Sequence, residues 1–128
     1  MNQHTSSLWQ QWTGAAALIA VLALGLTAPL LADRRSDAKA QVQFGIELAQ
    51  KKLWKEAEFR WEKAVELDPM YPSAWNNLGI AYEQQGKFPQ ALKAYEKARE
   101  LDPKNNLILQ NYDLFREIYD RQNRRRDR

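Results

Sequence analysis

A period of 34 residues is the feature of this 128-residue chain that most constrains its fold. Four pairs of residues recur at that spacing: Gly45 and Gly79, Ala57 and Ala91, Ala64 and Ala98, and Pro69 and Pro103. The heptapeptide Lys-Ala-Val-Glu-Leu-Asp-Pro at 63–69 also returns as Lys-Ala-Arg-Glu-Leu-Asp-Pro at 97–103. Chance does not produce four independent pairs at one period. The sequence therefore predicts a repeat protein whose units bury their apolar faces against one another.

Each repeat unit is predicted to form two helices joined by a short turn. In the second unit the residues Gln-Gly-Lys at 85–87 make the turn. Pro89 suits the first turn of the next helix, where its missing N–H is not needed. Asp102 ends that helix, because a residue before proline avoids the helical region. The small side chains at Gly45 and Gly79 predict that the paired helices approach closely there.

A last helix is predicted after the second unit. Ile108, Tyr112, Phe115 and Tyr119 recur at spacings of four, three and four, which places them on one helical face. We expect this helix to cap the apolar end of the second unit, as the terminal element of a solenoid must. The tail at 121–128 is strongly basic. It is predicted to be a solvated end, with attraction to anionic lipid as the functional alternative.

The N-terminal segment 1–32 contains no Lys, Arg, Asp or Glu, and residues 8–32 are largely apolar. About 20 helical residues cross a bilayer core of about 30 Å, so this run is long enough to span a membrane. Two interpretations stay open: a signal peptide cleaved after Ala32, or an uncleaved transmembrane helix. Arg34 and Arg35 favour a cytoplasmic position for the repeats. The early position of the apolar run favours export, and we predict the periplasmic or extracytoplasmic side.

The residue inventory argues against several classes of site. There is no cysteine, and the one histidine, His4, precedes the repeats. We therefore predict no metal site and no cofactor. Neither a glycine-rich phosphate loop nor a Ser/His/Asp arrangement is present, so no enzyme is predicted. Glu56, Glu58, Glu62 and Glu66 are interpreted as a solvated helix face paired with neighbouring cations. The net charge of +3 is too small to indicate nucleic acid as a partner.

The second unit resembles the tetratricopeptide repeat (TPR) family. The resemblance is carried by Trp75, Leu78, Gly79, Tyr82, Ala91, Tyr95, Ala98 and Pro103. It implies an all-α fold, an α-solenoid of two TPR helix-turn-helix units with a C-terminal capping helix and a preceding hydrophobic helix. The predicted segments are 1–32 signal peptide or anchor, 33–37 linker, 38–71 first unit, 72–105 second unit, 106–121 capping helix and 122–128 basic tail. The first unit departs from the pattern at Gln41, which stands in the place of Trp75.

The resemblance implies a non-enzymatic scaffold or adaptor. In this family the first helix of each unit lines a concave groove that holds an extended peptide or a helix of another protein. By position, the groove is predicted to contain Val42, Ile46, Gln50, Asn76, Asn77, Ile80, Gln84, Asn111, Leu114 and Ile118. Some members clamp a C-terminal carboxylate with lysine and asparagine, but Val42 and Ile46 stand at two of those positions. A partly apolar groove is expected instead, in which Asn77 and Asn111 hydrogen-bond a partner backbone.

A second hypothesis assigns the chain a structural role. Two and a half units are short for an independent solenoid, since at least three repeats are usual. The domain is then expected to form a homo-oligomer or to stack within a larger envelope complex. In either case the predicted partners are another protein and, through residues 8–32 unless they are cleaved, a membrane.

Overall fold

A computed structural model describes residues 30–128, and within that part every regular element is a helix. The helices are α1 (residues 30–50), α2 (Trp54–Leu67), α3 (Pro72–Gln84), α4 (Phe88–Leu101) and α5 (Asn106–Arg126). Helices α1 with α2 and α3 with α4 form two successive helix-turn-helix units, and α5 packs on α3 and α4. The all-α fold class is confirmed.

The two turns inside the units have the same geometry. Lys52 and Gly86, one period apart, both lie in the left-handed region, with φ of 60° and 72°. The next residue closes each turn in the same way: Leu53 N donates to Leu48 O at 3.0 Å, and Lys87 N donates to Tyr82 O at 2.8 Å. Glycine adopts this backbone conformation without strain. Gly86 therefore fits the turn better than Lys52 does.

The glycines allow an aromatic ring to lie against a helix backbone. A Cβ atom added to Gly45 would lie 2.6 Å from Cε2 of Trp61, and one added to Gly79 would lie 2.8 Å from Cδ1 of Tyr95. Trp61 also donates from Nε1 to the carbonyl oxygen of Val42 at 3.1 Å. The predicted close approach of paired helices is confirmed at both glycines. In each repeat unit, one aromatic side chain of the second helix thus packs on the glycine of the first.

Polar contacts join the first unit to the second. Lys87 Nζ lies 2.9 and 2.8 Å from the two carboxylate oxygens of Glu58. Tyr82 OH donates to Glu62 at 3.1 Å, and Gln85 donates to Glu58. The acids on the inner side of α2 therefore contact α3 and the following turn, whereas Glu66 is exposed. This differs from the prediction of one solvated acidic face.

Helix α5 covers the end of the second unit with the face predicted from the sequence. Ile108 and Phe115 are buried, and Tyr112 and Tyr119 pack partly buried beside them. The Phe115 ring lies 5.1 Å from the ring of Tyr95 and 6.2 Å from that of Phe88, measured between centroids. Aromatic pairs at such distances contribute about 0.5–1.5 kcal/mol beyond their buried area. The capping role is therefore carried by one aromatic cluster.

The opposite end of the two units has a different surface. Phe44 occupies the repeat position of Leu78 but is 41% exposed, whereas Leu78 is buried between the units. Arg60 occupies the repeat position of Ala94, which is also buried. The Arg60 guanidinium lies 4.2 Å from the centroid of the Phe44 ring. A cation–π contact thus covers the apolar ring where a helix covers its counterpart.

The predicted membrane segment at 8–32 lies outside the described residues except for its last three. Residues 33–37, predicted as a linker, are helical and form part of α1. Helix α5 extends to Arg126, beyond the predicted end at 121. Among residues 30–128, no helix combines the length and the apolar character that a membrane span requires.

Candidate functional site

The first helices of the units line a cleft of about 630 Å³. Its walls are formed by Lys39, Ala40, Val42, Gln43, Ile46, Tyr71, Ser73, Asn76, Asn77, Asn105, Leu107 and Ile108. These residues belong to α1, to the first turns of α3 and α5, and to the capping positions Tyr71 and Asn105 just before those two helices. Lys39, Ser73 and Leu107 are successive occupants of one repeat position. The cleft therefore follows from the repeat itself, because each unit contributes the same turn of its first helix.

The apolar part of the cleft has a buried floor and an exposed rim. Val42 and Ile108 are 6% and 2% exposed, so they form the floor. Ile46 is half-buried and packs on the core that the two units share. Leu107, in contrast, is 62% exposed at the rim. A bound apolar side chain would bury Leu107 and the exposed part of Ile46.

Side-chain amides lie along one edge of the cleft. Asn76 is 4% exposed, and its Oδ1 accepts a hydrogen bond of 3.1 Å from Nδ2 of Asn111 on α5. Asn105 caps α5, since its Oδ1 accepts from Leu107 N at 3.2 Å and from Ile108 N at 3.3 Å. Asn77 is partly exposed in the wall. Its neutral amide can both donate and accept, which suits contact with a peptide backbone.

The predicted groove residues divide into three groups in the structure. Val42, Ile46, Asn76 and Asn77 line the cleft. Asn111 contacts it through Asn76, while Leu114 and Ile118 continue along α5 with exposed fractions of 55% and 37%. Gln50 and Gln84 are exposed near the C-terminal ends of α1 and α3, and Ile80 packs against the aromatic cluster of α4 and α5.

Several cleft residues were missed by sequence reasoning. Tyr71 and Asn105 immediately precede helices, so a prediction restricted to helical positions did not include them. Ser73 and Leu107 are also absent from the predicted groove. The sequence does mark both, because each lies one period of 34 residues from the next, starting at Lys39.

The titratable groups with perturbed pKa values lie away from the cleft. Burial raises the pKa of Tyr82 to about 12, and its hydrogen bond to Glu62 acts in the same direction. Burial also raises the pKa of Tyr95, with a further contribution from the 2.7 Å hydrogen bond to Glu83. Both tyrosines pack between helices. Among the residues that line the cleft, Lys39 carries the charged side chain.

The repeats match known sequence families and proteins. The Tetratricopeptide repeat family profile matches residues 72–105, and a second TPR repeat profile matches residues 47–86. A tetratricopeptide repeat domain-containing protein of Arabidopsis thaliana, PYG7, is 41% identical over 58 residues, which cover 45% of this chain. The type IV pilus assembly protein PilF of Pseudomonas aeruginosa is 32% identical over 113 residues and covers 80% of this chain.

These relatives are longer proteins. The matched region spans 19% of PYG7 and 45% of PilF. The second TPR domain of human RPAP3, solved in complex with an HSP70 peptide, has the same fold with a TM-score of 0.59. It is 22% identical, and the match covers 62% of this chain and 67% of that domain. Two profile matches, the repeated glycine–aromatic packing and the solenoid of helical hairpins agree, and the chain belongs to the tetratricopeptide repeat family.

Proposed function

We propose that this protein is a non-enzymatic adaptor that holds a peptide or helix of another protein in the cleft between α1, α3 and α5. The supporting observation is the composition of the cleft, which combines a buried apolar floor, the exposed side chain of Leu107 and the amide of Asn77. The human RPAP3 domain has the same fold and was solved with a bound peptide, which supports this proposal.

Affinity in such a cleft comes mainly from apolar burial. Each Å² of apolar surface removed from water contributes about 25 cal/mol. Asn77 is placed to orient the partner by pairing with one of its backbone amides. Val42 and Ile46 stand where the carboxylate clamp of some family members needs lysine and asparagine, so an internal apolar segment fits better than a C-terminal carboxylate.

Selection from a peptide-display library on the full chain tests this proposal. The affinity of a selected peptide is then measured by fluorescence anisotropy for the wild type, for Leu107→Glu and for Phe59→Glu. Leu107 and Phe59 are 62% and 51% exposed, so neither change is expected to unfold the domain. Leu107→Glu is expected to weaken binding at least tenfold, and Phe59→Glu, outside the cleft, to leave it unchanged. A library that yields no binder, or equal affinities for both variants, would refute the proposal.

A structural role is the second candidate, and the surface at the other end of the solenoid favours it. Phe44 and Phe59 are 41% and 51% exposed there, and their ring centroids lie 4.2 and 5.5 Å from the Arg60 guanidinium. Sedimentation equilibrium over a wide concentration range separates the two candidates. Self-association that is abolished by Phe59→Glu supports a structural role, and a monomer at all concentrations rules out assembly of the chain with itself.

The membrane proposal concerns residues 8–32 and is tested separately. Mass spectrometry of the protein from membrane and soluble fractions gives its N-terminus. An N-terminus at Asp33 identifies a cleaved signal peptide, and an intact Met1 in the membrane fraction identifies an anchor. An intact Met1 found only in the soluble fraction contradicts both.

A further inference from the structure

Helix α5 has two parallel stripes of side chains: the inner stripe is buried against the domain, and the outer stripe keeps its aliphatic side chains exposed. The inner stripe is the capping face with Ile108 and Phe115. The outer stripe consists of Leu107, Asn111, Leu114 and Ile118, again at spacings of four, three and four. Its three aliphatic side chains are 62%, 55% and 37% exposed. Such a stripe has the spacing that a second helix needs for knobs-into-holes packing.

The outer stripe changes from apolar to cationic along α5. Continued at the same spacing, it reaches Arg121 and Arg125, and both side chains are exposed. Arg124, Arg126 and Arg128 add positive charge around them, whereas Asp120 already pairs with Arg116 at 3.4 Å. A helix that follows the stripe therefore meets aliphatic side chains first and guanidinium groups afterwards.

The outer stripe is continuous with the cleft. Leu107 belongs to both surfaces, and Asn111 is tied by its side chain to Asn76 in the cleft wall. At a rise of about 1.5 Å per residue, the stripe from Leu107 to Ile118 extends for about 16 Å. A partner that binds in the cleft can therefore also contact the outer stripe of α5 as far as the arginines.

We propose that the partner segment is an amphipathic helix with an acidic first turn, docked antiparallel along the outer stripe of α5. This inference rests on the proposed function and specifies its ligand. Antiparallel docking places the N-terminus of the partner helix beside Arg121 and Arg125. Carboxylates are favoured at a helix N-terminus, because the backbone N–H groups there present partial positive charge. The same carboxylates then neutralise the arginines.

The acidic residues beside the stripe make a lipid surface the less suitable occupant. Asp113 and Glu117 directly precede Leu114 and Ile118 in the chain, and both acidic side chains are exposed. An anionic membrane would repel both carboxylates at the depth where the aliphatic side chains need to insert. A protein helix can instead place a cation or a small polar side chain opposite them.

Two synthetic helical peptides of about 21 residues test the inference, three heptads being enough to cover the stripe. Both carry leucine at the heptad core positions and have the same composition. One has its glutamates in the first turn and the other in the last turn. Fluorescence anisotropy with the full chain is expected to show at least tenfold tighter binding of the first peptide. Equal binding of the two peptides, or no binding of the first, overturns the inference.

Variants of the chain locate the contact. Arg121→Glu with Arg125→Glu is expected to abolish the preference between the peptides, and Leu114→Glu to weaken both at least tenfold. Lys51→Glu with Lys55→Glu makes the same change of charge at exposed positions of the first unit and serves as the matched control. A loss of preference in this control to the same extent would show unspecific charge attraction and overturn the inference. Co-sedimentation of the wild type, but not of the Arg121/Arg125 variant, with phosphatidylglycerol vesicles, without peptide preference, would assign the surface to lipid instead.

The outcome for the cleft is distinguishable from the outcome for α5. Display-selected peptides that depend on Leu107 but are unaffected by Leu114→Glu and by the double arginine variant leave the proposed function intact and refute the acidic helix. Absence of any selected binder refutes the proposed function itself.

Discussion

Asn111 Nδ2 donates to Asn76 Oδ1 at 3.1 Å, which joins two side chains 35 residues apart in the chain. The acceptor is almost fully buried and the donor lies on the capping helix. The bond therefore fixes α5 to α3 at the edge of the cleft. It also engages one amide group of Asn111 within the protein, so Asn77 is the amide better placed for a partner.

Removing the donor of this bond is expected to destabilise the fold. Asn111→Ala leaves the buried Asn76 Oδ1 without its donor, which costs about 1–3 kcal/mol. Asn77→Ala, in the partly exposed wall, is expected to change the free energy of unfolding by less than about 0.5 kcal/mol. Urea denaturation measures both. Equal costs for the two variants would show that the Asn76–Asn111 bond contributes no more than a surface amide.

The effect of Gly79→Ala on stability is expected to depend on whether Tyr95 is present. Gly79→Ala places a methyl group about 2.8 Å from Tyr95 Cδ1, and such overpacking costs about 1–3 kcal/mol. In a Tyr95→Ala background the space is open, and alanine exceeds glycine in helix propensity by about 1 kcal/mol. There the same change should be neutral or stabilising. Thermal unfolding of the four variants gives the coupling, and a cost that persists without Tyr95 would contradict the explanation.

Stability is expected to fall at alkaline pH through the buried tyrosines. The pKa of Tyr82 rises from 10.0 in the free side chain to about 12 in the fold. Above pH 10 the unfolded chain loses this proton while the folded chain keeps it. The favourable contribution is therefore complete below pH 10 and is lost as pH rises towards 12. Tyr82→Phe with Tyr95→Phe should flatten the pH dependence of the unfolding free energy in that window. If the slope of the unfolding free energy against pH were unchanged, other titratable groups would be responsible for the pH dependence.

The ion pair between the units should contribute modestly and depend on salt. Lys87→Met removes the contact with both oxygens of Glu58, for an expected loss of about 0.5–1 kcal/mol. The stability lost on this substitution should be smaller in about 1 M salt, where the Debye length is about 3 Å and charges are strongly screened. Lys63→Met is the control, because its partner Glu66 is 64% exposed. A larger loss from Lys63→Met would contradict the importance of the contact between units.

The fold was predictable from the sequence because both repeat units carry the same packing residues at the same positions. Gly45 and Gly79, each with an aromatic side chain in the following helix, required a close crossing wherever they recurred. The contacts of Asn111 were not predictable. Its position in the helix predicted a place in the groove, but not its hydrogen bond to Asn76. The extent of α5 was also underestimated, since no proline or glycine marks its end.

Arg60 has a consequence for the symmetry of any assembly. If a further repeat unit covered this end as the first unit covers the second, Arg60 would lie in the place of the buried Ala94 and its guanidinium would lose its water. Burying an unpaired cation in this way is very costly, so open-ended fibres built by continuing the superhelix are disfavoured.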